Sequence, residues 1–156
     1  MRQIAVFIEG PPISKKRPRV VFRNTKPHTY TPEDTANYEA MVGMLALQQM
    51  REVDFEMVEK GVPVELEIEF TLKSPQASRP DLNNLIASIQ DGLNGVWYWD
   101  DSQVVSLRAS KIKGDKLGAF VRLTVLEDQL CLNVPLQRKE RMPISLSITN
   151  LAQIEV

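Results

Sequence analysis

At 156 residues the chain suits one domain with a real core, and its apolar (43%) and charged (25%) fractions are those of an ordinary soluble protein. No run approaches the ~18 apolar residues of a membrane span, and the first residues hold too short an apolar core for a signal peptide. The single cysteine, Cys131, excludes an internal disulfide and, without an export signal, favours the cytoplasm; a lone histidine, His28, argues against a zinc site of His and Cys ligands.

In chain order, the β-rich stretch Gln3–Glu9 predicts a first strand, stopped by Gly10-Pro11-Pro12. Residues 10–31 read as a long loop with four prolines. The net charge of −1 hides an uneven distribution, because Arg2, Lys15, Lys16, Arg17, Arg19, Arg23 and Lys26 face Glu9 alone, a balance of +6 over residues 1–31. The middle of the chain is acidic, from Glu52 to Glu69. A basic arm beside clustered carboxylates suits a polyanionic substrate; its bland counterpart is a solvated loop balanced by an acidic face.

Thr31-Pro32-Glu33-Asp34 predicts a helix start, with Thr31 as N-cap and Pro32 at the first helical position, running to about Met50. After the break at Gly61-Val62-Pro63, Val64, Leu66, Ile68, Phe70 and Leu72 alternate with Glu65, Glu67, Glu69 and Thr71, which predicts a strand with one buried face. Asp81 is placed to cap a second helix whose Leu82, Leu85, Ile86, Ile89 and Leu93 fall at helical spacing, and Asn94-Gly95 ends it. Residues 104–112 and 119–126 read as two strands joined by a hairpin turn. The order is β-α-β-α-β-β, an α+β domain over residues 1–128 with a mixed sheet and two helices. Residues 129–156 form a C-terminal, β-like extension.

Four aspartates, Asp81, Asp91, Asp100 and Asp101, fall within 21 positions around the second helix. Clustered carboxylates repel each other, and a cation relieves that repulsion best. Asp81 at a helix start and Asp101 before a strand are expected to converge on Mg²⁺ or Mn²⁺, the hard cations that favour oxygen ligands and phosphate partners. The structural alternative makes Asp81 only an N-cap and Asp100-Asp101 only a turn. Asp91, about 280° around the helix from Asp81, is assigned a supporting role with Asp100. Trp97, Tyr98 and Trp99 divide between a buried and a base-stacking reading.

Three motifs carry a resemblance: Arg79-Pro80-Asp81-Leu82-Asn83-Asn84-Leu85, Asp91-Gly92-Leu93-Asn94-Gly95 and Asp100-Asp101-Ser102-Gln103-Val104. In order and nearly in spacing they resemble the RusA family of phage and prophage Holliday junction resolvases, over about residues 3–127. The resemblance implies a Mg²⁺-dependent, homodimeric endodeoxyribonuclease that resolves four-way DNA junctions. It implies metal ligation at Asp81, Asn83 and Asp101, with Asp81 and Asp101 catalytic. It further implies DNA contacts from Lys15, Lys16, Arg17, Arg19, Ser78, Arg79 and Asn84. Two positions depart from the pattern. Asn83 stands where the family has a carboxylate, and Ala87 stands where many members have lysine. An amide brings no negative charge and is a poor base, so a non-catalytic junction-binding protein of the same fold is the alternative. A plain α+β interaction domain is a third reading.

Overall fold

The computed structural model describes residues 2–16, 19–23, 26–75 and 79–126. The elements are β1 (Gln3–Glu9), β2 (Arg19–Arg23), β3 (Lys26–Tyr30), α1 (Glu33–Glu52), β4 (Val64–Leu72), α2 (Leu82–Leu93), a 3₁₀ turn (Asp101–Gln103), β5 (Val104–Lys113) and β6 (Gly118–Val125). A four-stranded mixed sheet has the order β1-β6-β4-β5, in which β6 runs antiparallel to β1 and β4, while β4 and β5 are parallel. The β-like extension expected over residues 129–156 lies outside the described residues.

Alternation along β4 sends Val64, Leu66, Ile68 and Phe70 to one face, where they are buried. There they meet Ile4, Val6 and Ile8 of β1, Val121 and Leu123 of β6, and the apolar stripes of both helices. The opposite face mixes charged side chains with the half-buried Phe7 and Phe120. Glu67 sits between Arg108 and Arg122 at 3.1 Å from each, and Ser106 donates to Glu65 at 2.8 Å. The acidic alternation on β4 is thus answered by cations on its neighbouring strands.

Three details differ from the sequence reading. The stretch 10–31 contains a separate antiparallel ribbon, with Arg19 opposite Tyr30 and Arg23 opposite Lys26. Its strands are five residues each, too short for a legible period. Helix α1 starts one residue later than expected. Pro32 holds the N-cap position with ψ 138°, and its carbonyl accepts from the Thr35 and Ala36 amides at 3.0 and 3.1 Å. A cap residue needs no amide proton of its own, so proline fits there. Finally, β5 and β6 are not a hairpin, because β4 lies between them. Strands two places apart are about 9.6 Å distant, which residues 114–117 can span. The Gly114 amide bonds the Leu72 carbonyl at 3.0 Å as the connection passes the end of β4. A short polar turn looks the same in sequence whether it closes a hairpin or steps over a strand.

The two helices cross at glycines. A Cβ on Gly92 would lie 2.7 Å from the Glu39 carbonyl oxygen and 2.7 Å from Val42 Cβ, and one on Gly43 would lie 3.0 Å from the Gly92 carbonyl oxygen. In an open helix Gly→Ala gains about 1 kcal/mol. At Gly92 the clash is with helix backbone, so Gly92→Ala is expected to lose about 1–3 kcal/mol instead. Urea denaturation checks both size and sign.

Candidate functional site

Helix α2 is the crossover between parallel strands, so it runs antiparallel to both and its two ends lie at opposite ends of the sheet. At its N-terminus, Asp81 Oδ1 accepts the Asn84 amide at 2.9 Å, as an N-cap does. Asp81, Asn83 and Asn84 are exposed, as is Arg79. Lys111, opposite Phe70 near the far end of β5, donates to the Pro80 carbonyl at 3.0 Å and so marks this corner.

Asp101 lies at the other end, three residues before Val104, which pairs with Val64. The turn that carries it is built around the buried Gln103 side chain. Its Oε1 accepts from the Trp99 and Asp100 amides at 2.9 and 3.3 Å, and its Nε2 donates to the Glu59 and Val62 carbonyls at 2.8 and 2.9 Å. The Asp100 carboxylate accepts the Ser102 amide at 3.0 Å. Bonding to Ser102 holds the Asp100 carboxyl below its usual range. Asp100 therefore shapes the turn, and Asp101 projects from it, exposed to solvent.

Within one chain this topology sets Asp81 and Asp101 beyond opposite ends of α2. The 12-residue helix between them is about 18 Å long. Among the described residues no group of three or more His, Cys, Asp or Glu could hold a metal ion. Spacing in sequence showed both carboxylates flanking one helix; the parallel pairing of β4 and β5 puts them at its opposite ends.

What does gather near the Asp101 end is a cluster of Lys15, Glu39 and Asp91. Lys15 Nζ is ion-paired with Asp91, and its amide bonds the Asn84 carbonyl at 2.9 Å, laying residues 13–15 along α2. Ser88 Oγ adds a bond to the Ile13 carbonyl at 2.8 Å. The Asp91 hydrogen bond raises the Lys15 ammonium above its ordinary value, with further help from the fields of Glu39 and Asp101. Burial and then the nearby Asp91 carboxylate push the Glu39 carboxyl up; its Oε1 is shut from solvent without a partner among the described residues. Lys16 pairs with Asp34 at 2.7 Å. Two lysines expected to face DNA are thus engaged with acids on the helices. Of the other expected contacts, Arg17 and Ser78 lie outside the described residues, and Arg19 falls on the β2 backbone.

Glu39 escaped the sequence reading because it is one acid among several on α1, and only the close crossing at Gly92 brings it beside Asp91. Trp97 and Tyr98 are fully buried, with Trp97 Nε1 donating to the Ala46 carbonyl at 3.2 Å, whereas Trp99 is 57% exposed.

The site thus belongs to a small α+β domain with carboxylates at both ends of one helix and a basic segment stitched to its flank. The family model described as Endodeoxyribonuclease RusA matches residues 9–124, and the chain belongs to that family. It is 34% identical over 104 residues to the crossover junction endodeoxyribonuclease rusA of Lactococcus phage r1t, covering 61% of this chain and 76% of the relative. It is 27% identical over 132 residues to the uncharacterized protein YqaN of Bacillus subtilis (strain 168), covering 72% of this chain and 89% of that relative.

Two outcomes are expected. Gln103→Leu leaves two amides and two carbonyls without their partner and should destabilise the fold by about 2–4 kcal/mol, read by denaturant unfolding. Glu39→Gln mimics the protonated acid. A raised carboxyl favours the protonated form in the fold, so the parent loses stability as pH rises through that elevated value, above 4.5. The variant should therefore have the higher urea midpoint at pH 8, and the difference should shrink toward pH 4. The reverse order would mean that Lys15 governs the site.

Proposed function

We propose that the chain is a homodimeric, structure-selective endodeoxyribonuclease that resolves four-way DNA junctions. The observation that carries this reading is the family match over residues 9–124 together with the three motifs around α2. Asp81, Asn83 and Asp101 are the oxygen donors toward Mg²⁺ or Mn²⁺, and their side chains suit such hard cations. When bound, the cation would supply Lewis acidity and neutralise charge at the scissile phosphate. One chain holds Asp81 and Asp101 a helix length apart, so the donor set is completed when a second copy brings its α2 N-terminus to this Asp101 turn. Met44 and Leu47, 70% and 42% exposed on α1, offer an apolar face for association. A two-fold pair of sites also matches the paired incisions that junction resolution requires. Arg17, Arg19, Ser78, Arg79 and Asn84 contact the DNA backbone. Lys15 and Lys16 act there only by exchanging Asp91 and Asp34 for phosphate.

A second reading has a specific observation behind it. Asn83 removes one formal charge from the donor set, which favours a chain that binds junctions and cuts slowly or not at all. Nicking of a labelled junction during Mn²⁺ titration decides between the two. Asn83→Asp is expected to raise cleavage roughly 10-fold or more through the added charge. Asp101→Asn should lower cleavage by more than the ~10- to 100-fold typical of losing an outer-sphere partner, while junction binding persists. A parent that is silent until Asn83→Asp is made establishes the binding-only reading. Equal rates for all three place the chemistry elsewhere. Junction affinity should fall steeply with salt, and a flat dependence would remove DNA binding from the account.

A further inference from the structure

The aromatic run 97–99 is split by the fold. Trp97 and Tyr98 are sealed in the core, but Trp99 keeps 57% of its surface exposed on the turn that presents Asp101. Its backbone is already fixed, since the Trp99 amide is held by Gln103 Oε1 at 2.9 Å. Beside it lies an open groove of about 470 Å³, with Pro63 and Val105 as apolar walls, Lys60 as its cation and the Asp100 carboxylate, already bonded to the Ser102 amide, on its rim. Lys60 is close enough to Asp100 for its field to help keep that carboxyl ionised.

We propose that Trp99 is a stacking platform for a nucleobase left with an unstacked face at a DNA branch point, with Lys60 holding the phosphate of the same nucleotide. The inference rests on the junction-binding function above and adds a source of selectivity to it. An indole offers a flat apolar face, and every base has a matching one, so such contacts are tolerant of sequence. Because the turn is ordered before binding, little entropy is lost when the base stacks. A base inside a duplex is already stacked on both faces and gains nothing from Trp99, whereas a base at a crossover has a face to offer. The groove also suits a nucleotide better than a second protomer: it pairs an aromatic face with a cation, while the exposed Met44 and Leu47 on α1 line a separate groove.

The chain has two tryptophans, and only Trp99 is exposed, so acrylamide quenching of the intrinsic fluorescence reports on it. The full chain, in EDTA to prevent cleavage, is titrated with a four-way junction and with linear duplex of the same arm sequences. The junction is expected to quench Trp99 and shield it from acrylamide, and duplex to do so weakly. Trp99→Ala should weaken junction binding roughly 5- to 100-fold and leave duplex affinity unchanged, while Trp99→Phe keeps most of the affinity. Lys60→Ala should reduce the salt slope of junction binding by about one unit. Native junction affinity in Trp99→Ala, or a Trp99 still open to acrylamide in the complex, overturns the proposal and leaves the family function standing. Light scattering that shows Trp99→Ala monomeric and the parent dimeric overturns it too, by assigning the face to a second copy. Failure of the parent to bind any junction defeats the junction-binding function itself, and the stacking role with it. Circular dichroism melting confirms that the variants are folded.

Discussion

The parallel pairing of β4 with β5 is the constraint on which the rest depends. Parallel neighbours need a crossover, and here that crossover is α2. Its run over the sheet buries Leu85, Ile86, Ile89 and Leu93 in the core shared with the sheet and α1. The same run sends the carboxylate at its N-cap to one end of the sheet and the carboxylate before β5 to the other. The core and the division of the acidic residues therefore have one cause. Since β4 is bonded on both sides, shifting it by one residue would send its glutamates into the core and its aliphatic side chains to water, so its register is strongly specified.

Charge is organised around this frame in two ways. On the open face of the sheet, arginines from β5 and β6 meet Glu67, which spreads the acidic alternation of β4 across three strands. On the helical side, the basic segment before β2 is tied down by Lys15 to Asp91 and by Lys16 to Asp34. Such half-exposed pairs contribute little to stability, on the order of 1 kcal/mol or less each, so their effect is mainly positional. They hold the start of the basic stretch against α1 and α2, next to the acidic end of the domain.

Hydrogen bonds are concentrated at the turn that carries Asp101. One buried amide, Gln103, closes four hydrogen bonds across residues 59–103, and Asp100 spends its carboxylate on the same turn. The neighbouring aromatics Trp97 and Tyr98 clamp the end of α2, the latter with its hydroxyl on the Gln90 carbonyl at 3.3 Å. Burial pushes the Tyr98 hydroxyl far above its ordinary range, with the fields of Asp101 and Asp91 adding to it, so it serves as a neutral donor. Asp101 thus stands on a turn held by buried side chains and their hydrogen bonds.

Local chemistry in the sequence determined a good deal. The alternation in Val64–Leu72 specified a half-buried strand, Asp81 specified an N-cap, Asn94-Gly95 a helix end, and the three motifs specified the family. Each depends on neighbours within a few residues, or on a residue pattern that survives without knowledge of packing. Tertiary structure alone decided which strands are partners, because β5 and β6 are adjacent in sequence and separated in the sheet by β4. It alone decided that Asp81 and Asp101 part company, that Glu39 joins Asp91, and that of three consecutive aromatics only Trp99 faces water. Those outcomes follow from crossover direction and from helices meeting at Gly43 and Gly92, which are long-range geometric facts that no local periodicity encodes.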